Sequence, residues 1–488
     1  MATADKMVGM YVHQHWPYNR PYCARTWTVD DWRGYADGLT KLGFNTILLW
    51  PMVEFMPDPQ TPSDLAHLAK MEEVIATLQR VFGLRVYLAL CPNVAAKDDE
   101  AAAVPFEKRH FFYCDQRVDP GDPAAMDALL ARREKVLHPL RHADGITIID
   151  SDPGGYPGST NQEFVDLLLR HRRLFDELRS GIELVYWIHA GWLGYNRFYE
   201  TGVLSFSTDN ETEEVLTLLN AAAPEPWGIA NGRSVAQKLR IADRVISLNY
   251  GRIEGEPSFP RTNFGGDGAW EGGNAPGPRG VIGNAQTHCV QLPNTFAFAR
   301  GAQGLPIQES DYIAFADDLI PGQGATIVAG WQALAGDDSA AMRAHAEAFD
   351  AVPDSALHPG RLEGLLFGSP RRFLTDLAMQ LRMQAAYVEL REAAGTPSRA
   401  LVRAFAETAS AWQARHGYEN SWWWPELDET LRRIGAPAVD AALDTVFNPF
   451  VLPAGGFSGT AYEYVADALK QGESFTPRLL AALREVSE

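Results

Sequence analysis

The segment "GITIIDSDPGGYPGSTNQEF", residues 145–164, holds the unit that decides the fold. Ile146-Thr147-Ile148-Ile149 is a short run with no polar alternation, as expected of a parallel strand covered on both faces. Two acids, Asp150 and Asp152, end it, and a Pro/Gly stretch follows. Thr160 and Glu163 then have the spacing of a capping box, in which side chain and backbone satisfy each other at a helix start. Beyond that cap, Phe164, Leu167, Leu168, His171, Leu174, Phe175 and Leu178 mark one face at helical spacing. The order is strand, loop, helix.

Outward from this unit the same pattern recurs. "VGMYVHQ" from 8, "FNTILLW" from 44, "LRVYLAL" from 84, "IELVYWIH" from 182, "WGIAN" from 227, "RVISLNYG" from 244 and "GVIGNAQ" from 280 are the other strand candidates. Helix starts lie between them, among them Thr61 before Pro62. The last helix of the series is "NTFAFARGAQG" from 294. Eight units predict a (β/α)8 TIM barrel over residues 1–305. Past about residue 310 the strand runs stop. Residues 369–394, 397–416, 425–434, 436–447, 459–472 and 476–488 read as helices, which predicts an all-α C-terminal region, 306–488, packed on the barrel.

Composition limits the partners. The 488 residues carry a formal net charge of −19, which opposes a phosphate backbone or an anionic membrane surface, so neither nucleic acid nor a membrane is expected. No window approaches the roughly 18 apolar residues of a membrane span. The N-terminus carries no apolar signal-peptide core, and Cys23, Cys91, Cys114 and Cys289 are scattered without a C-x-x-C pair. A cytoplasmic protein with reduced thiols is expected, with no cofactor and with a homo-oligomer left open.

Barrels of this kind place their chemistry at the C-terminal ends of the strands. There the sequence gives His13, Gln14 and His15; Trp50 and Glu54; Asn93; Asp150 and Asp152; His189 and Trp192; Asn231; Asn249 and Tyr250, then Arg252, Glu254 and Glu256; and Asn284, Gln286 and His288. Residues i and i+2 of a strand face one side, so Asp150 and Asp152 are expected to point together into the mouth. Each then raises the cost of ionising the other, which suits a protonated general acid beside a charged companion.

In the other reading Asp152-Pro153-Gly154-Gly155 is simply a turn. Glu54 or Glu254 would supply the opposing carboxylate, or both are loop acids. Trp50, Trp187 and Trp192 are stacking candidates or packing, with Trp192 the foremost platform. The glycine-rich loop 251–280 has the length of a lid or substrate wall, and "GYENSWWWPEL", 417–427, places three indoles before a helix start.

Amides, carboxylates and imidazoles interleaved with indoles suit a polyhydroxylated ligand. In layout, "IIDSDPGG" together with "GMYVHQHWPYNRPY…DDWRGYADGLTKLGFNTILLWP" resembles the barrel glycoside hydrolases with an acidic motif after strand four, such as family-20 hexosaminidases and α-glucuronidase-type barrels. The resemblance covers residues 7–305 and implies a glycosidase that cleaves by carboxylate general acid/base chemistry on a carbohydrate substrate. Asp150, Asp152, Glu54 and Glu254 would be the catalytic candidates. His13, Trp50, His189, Trp192, Asn249, Tyr250, Asn284, Gln286 and His288 would bind substrate. The family-20 motif ends in an Asp-Glu pair, whereas Pro153-Gly154 follows Asp152 here, so that family's acid is not carried over.

Two alternatives stand beside this reading. The first is an amidohydrolase-like metal hydrolase using His13, His15 and His189. It departs from that plan at Asp150 on strand four, at Asn231 on strand six and in lacking an Asp on strand eight. The second is a non-catalytic carbohydrate-binding barrel.

Overall fold

The computed structural model describes residues 6–15, 18–109, 116–151, 153–201, 205–249, 277–285, 292–417, 425–444 and 475–488. Eight parallel strands close into a barrel: β1 (Met7–Val12), β2 (Thr46–Leu49), β3 (Arg85–Leu90), β4 (Gly145–Ile149), β5 (Glu183–Trp187), β6 (Trp227–Ala230), β7 (Val245–Asn249) and β8 (Gly280–Ala285). They follow one another in chain order around the ring, and β8 pairs back onto β1 with Tyr11 opposite Asn284. All eight apolar runs of the sequence became barrel strands.

Helices cover the outside: α1 (Val29–Lys41), α2 (Pro62–Phe82), α3 (Pro123–Leu137), α4 (Asn161–Leu178), α5 (Trp192–Thr201), α6 (Asp209–Ala222), α7 (Arg233–Lys238) and α8 (Leu292–Ala302). Both capping signals hold. Thr61 caps α2 with Asp64 in a reciprocal box, and Thr160 caps α4 with Glu163. The loop after β3 carries additional structure, a two-stranded ribbon pairing Val94–Ala95 with Gln116–Arg117.

The remainder is helical: α9 (Glu309–Leu319), α10 (Gly324–Ala335), α11 (Ser339–Ala351), α12 (Pro370–Glu392), α13 (Arg399–His416), α14 (Pro425–Arg432), α15 (Pro437–Leu443) and α16 (Phe475–Ser487). The first three of these had not been named from the sequence, and the expected helix 459–472 lies outside the described residues.

One apolar cluster runs through barrel and helices alike. Trp27 packs on Phe367 with ring centroids 4.4 Å apart, and Phe296 stacks on Phe315 at 4.5 Å. Tyr22 donates its hydroxyl to Asp376 of α12 at 2.6 Å, and Asn19 N–H donates to the His416 carbonyl at 3.0 Å. The loop that leaves β1 is therefore held by the C-terminal helices. At the opposite end Glu183 receives Arg279 at 2.5 and 2.9 Å and the Tyr87 hydroxyl at 2.7 Å. That cluster fills the base of the barrel with satisfied polar groups.

Among the described residues no helix is long and apolar enough to cross a membrane. Cys23 and Cys91 are buried and form no disulfide among the described residues, and Cys114 and Cys289 lie outside them.

Candidate functional site

The strand register decides which side chains enter the mouth. Tyr11, Trp50 and Trp187 come from β1, the end of β2 and β5, yet their rings meet. Tyr11 lies 6.3 Å from Trp50 and 5.3 Å from Trp187, and the two indoles are 6.4 Å apart. Only inward-pointing side chains can do this. All three are buried, so together they form the floor that shuts the barrel. Trp50 is thus packing in that layer, one of the two roles expected for it.

This layer fixes the phase of β4. Ile149 pairs with Trp187 and Ile148 with Tyr186, and paired residues of a parallel ladder share a face. Tyr186 points outward, its ring edge-on to Phe164 of α4 at 5.3 Å. Ile148 therefore faces the helices, and Asp150, bonded to the Tyr186 hydroxyl, lies on the same side. The expectation that Asp150 points into the mouth is corrected. A run apolar on both faces carries no signal of its own phase.

Asp150 is completely buried. It accepts from the Tyr186 hydroxyl at 2.9 Å, from the His189 backbone N–H at 3.2 Å to each oxygen, and from the Ser151 hydroxyl at 3.1 Å. Burial pushes its carboxyl above the usual range, opposed by His189, by the Tyr186 hydroxyl and by the backbone N–H groups of Gly191 and His189. Burial and the neighbouring carboxylate push the Tyr186 hydroxyl well up. The carboxylate thus anchors the start of the loop after β5. In that loop His189, partly exposed, stands on the mouth side two residues after Trp187, with Nδ1 2.7 Å from Ser151 Oγ.

Across the mouth His13 lies on Tyr11, with ring centroids 4.1 Å apart. Its Nε2 is in a short hydrogen bond to Asn284 Oδ1, and its Nδ1 is 2.9 Å from His15 Nδ1. With Asn284 so oriented, His13 carries its proton on Nε2 and accepts at Nδ1 from His15. Burial pushes His13 down to about 3. Burial, then His13 and Arg25, hold His15 well below the imidazole range. Both rings are neutral near pH 7.

Glu54 sits in the turn Val53–Phe55 and is buried. Its carboxylate accepts the Cys91 N–H at 2.6 Å and the Trp50 indole N–H at 3.2 Å. Burial raises its pKa while Arg133 opposes. Trp192 is buried as well, its ring stacked on Phe164 at 4.6 Å and its Nε1–H donating to Ser159 Oγ at 2.7 Å. It packs the loop after β4 against α4. Asn231 ties strand ends together, donating to the Ile188 carbonyl at 3.3 Å and accepting the Leu248 N–H at 2.9 Å.

The turn after β4 is closely held. Gly155 has φ +74°, and a Cβ on it would lie 2.6 Å from Asn196 Oδ1. Asn93 donates to the Gly155 carbonyl at 2.9 Å, and Asn196 Oδ1 accepts the Tyr156 N–H at 2.9 Å. Asp152, Tyr250, Glu254, Glu256, Gln286, His288, loop residues 251–276 and the three indoles of 417–427 lie outside the described residues, as does the side chain of Asn249. Sequence reading had passed over Ser151, Tyr11 and Tyr186. A hydroxyl between two acids was the one signal for Ser151.

Among the described residues no three of His, Cys, Asp and Glu gather as a metal-holding group. His13 and His15 turn their Nδ1 atoms on each other, and His189 turns its own to Ser151.

Fold and site define a (β/α)8 barrel whose mouth is floored by aromatics and rimmed by neutral imidazoles. Solved structures similar to this chain include a GH138 enzyme targeting pectin rhamnogalacturonan II, 9% identical, with 99% of this chain and 67% of that one covered at a TM-score of 0.46. A mutant of the O-GlcNAc hydrolase of Thermobaculum terrenum is 10% identical, with 98% and 95% covered and a TM-score of 0.47. The family 89 glycoside hydrolase from Clostridium perfringens, in complex with PUGNAc, is 9% identical, with 99% and 63% covered and a TM-score of 0.45. No protein-family model matches the chain, nor does any curated protein. What the mouth can do has to be read from its own residues.

Proposed function

We propose that the protein is a glycoside hydrolase that binds a carbohydrate at the C-terminal mouth of the barrel. The observation that carries this reading is the mouth itself: a closed floor of Tyr11, Trp50 and Trp187 beneath the polar groups His13, Asn284 and His189. Neutral imidazoles and amides exchange hydrogen bonds with hydroxyls without a charge to desolvate, and aromatic faces stack on the apolar faces of sugar rings.

In this reading Asp152, in the segment that follows β4, is the proton donor. Glu254, on the loop after β7, is favoured over Glu54 as the opposing carboxylate, because Glu54 is already engaged with Cys91 and Trp50 inside the protein. Asp150 supports the site from behind. Asn249, Tyr250, Gln286 and His288 remain proposed substrate contacts.

The test begins with a panel of aryl glycosides. Asp152→Asn is then compared with wild type on leaving groups of low and high pKa. General acid catalysis contributes roughly 10²-fold or more where the leaving group needs protonation, so the high-pKa substrate should lose at least that much and the low-pKa substrate far less. Equal losses remove Asp152 from the role. Turnover of no glycoside at all removes the function. The metal-dependent alternative gains if purified protein carries stoichiometric metal on His13 and His15 and loses activity with it.

A further inference from the structure

Strand register places Asn284 in the mouth. It pairs with Tyr11 across β1 and β8, and Tyr11 belongs to the aromatic floor, so Asn284 faces the barrel interior with it. Its Oδ1 lies in a short hydrogen bond against His13 Nε2. An amide oxygen can only accept, so the proton in this contact belongs to His13. Burial pushes that imidazole down to about 3, which leaves it neutral near pH 7 with its one proton on Nε2. The ring is also fixed in place, lying on Tyr11 with centroids 4.1 Å apart. Oxygen and nitrogen of an amide sit on opposite sides of one carbon, so with Oδ1 held by His13 the Nδ2 group is turned away from it. Among the described residues no group accepts from Nδ2, and the atom is not walled off inside the protein.

We infer that Asn284 is a specificity-determining residue, locked by His13 so that its Nδ2 amide donates to an acceptor oxygen of the ligand. An amide free to turn over offers either a donor or an acceptor. His13 removes that choice. The ligand group that fits is an oxygen with lone pairs turned to β8: a ring or linking oxygen, a carbonyl or a carboxylate. A hydroxyl that must give its proton there is refused, because two donors would meet. The ligand role rests on the glycosidase reading, whereas the locking of the amide does not.

The test is Asn284→Asp, which is nearly isosteric. The new carboxylate still accepts from His13 but meets the ligand with an oxygen where the nitrogen stood. On an aryl glycoside turned over by the wild type, KM should rise at least about tenfold, the size of one hydrogen bond lost with its partner left facing a like group. The rise should exceed that of Asn284→Ala, which leaves room for water, while the thermal midpoints of both variants confirm an intact fold. A KM for Asn284→Asp equal to wild type, or below that of Asn284→Ala, overturns the donor role. The locking is read separately by nitrogen NMR of the full chain labelled in histidine, with His13 assigned by comparison with His13→Gln. Neutral His13 of the wild type is expected as Nε2–H, and its appearance as Nδ1–H overturns the inference without any variant. If the panel yields no substrate, the proposed function falls and with it the ligand role, and the tautomer of His13 alone decides whether the amide is locked.

Discussion

His15, His67, His171 and His416 are buried, and burial pushes each imidazole below its ordinary range, His416 to about 3. The sign follows from linkage. Below about pH 6.5 the unfolded chain binds protons that the native rings refuse, so their stability is present above that value and is lost as pH falls towards the folded pKa. Glu54 and Asp150 act oppositely, because burial raises both and the native state then takes up their protons first. With His13, which is lowered in the same way, five imidazoles outnumber the two acids, so stability from denaturant unfolding should fall between pH 7 and pH 5. His416 packs among Tyr18, Tyr22 and Trp412 with centroids 4.5, 4.5 and 5.4 Å away, a setting that also accepts a phenyl ring. His416→Phe should shrink that loss by about 2 kcal/mol, one proton over 1.5 pH units; an unchanged pH slope would contradict the assignment. Arg25 is a buried cation of a different kind. Its guanidinium binds the carbonyls of Gln14 at 2.9 and 2.6 Å, His15 at 2.5 Å, Phe106 at 3.0 Å and Arg109 at 2.5 Å. Burial pulls its pKa to about 10. Its planar fork pins the loops after β1 and β3 together, and with them the backbone that carries His13.

At the scale of elements, a contact of bare backbone joins the barrel to the C-terminal region. A Cβ on Gly34 of α1 would lie 3.0 Å from Gly364 Cα, and a Cβ on Gly364 would run into the Gly34 carbonyl. Backbone on both sides leaves nothing flexible to move away. Gly364→Ala should therefore lower the thermal midpoint, with a cost of roughly 1–3 kcal/mol for overpacking. Gly395→Ala cannot serve as the control because Gly395 has φ +67°, whereas Ala at Gly336, where a Cβ would meet only ordinary van der Waals neighbours at 3.5 and 3.6 Å and φ is −96°, should change little. Equal midpoints for the Gly364 variant and wild type would refute the contact. Such glycines also show where sequence reading stopped. The eight strands were legible because each is a dense apolar run with turn signals on both sides. Helices α10 and α11 were not, since Gly330 weakens the helical pattern and is there so that the Phe349 ring can lie against it. In the site, His13, Asn284 and His189 were legible as strand-end polar residues. The facing of Asp150 was not, because Ile146 to Ile149 are buried on both faces and say nothing of which side is inner.

On the scale of the whole molecule, the helical region shares one core with the barrel. Trp27, 1% exposed, is covered by Phe367, and Tyr22, equally buried, bonds to Asp376 and packs on Trp412. Phe296 of α8 lies between Tyr312 and Phe315 of α9. Removing residues 306–488 would bare these rings and leave the Tyr22 hydroxyl and the Gly34 backbone without their partners. Burying a large apolar side chain contributes roughly 1.5–3 kcal/mol, and net stabilities of whole domains are only about 5–15 kcal/mol, so exposing several such groups spends most of what a barrel has. Trp27 and Tyr22 flank the chain leaving β1, so the damage falls beside His13 and His15. We therefore predict that the fragment 1–305 lacks a cooperative thermal transition and binds a hydrophobic dye, and that adding residues 306–488 as a separate chain restores the transition. A fragment that melts cooperatively near the full-length midpoint without dye binding would show instead that the barrel stands alone and that the helices are an independent domain resting on its surface.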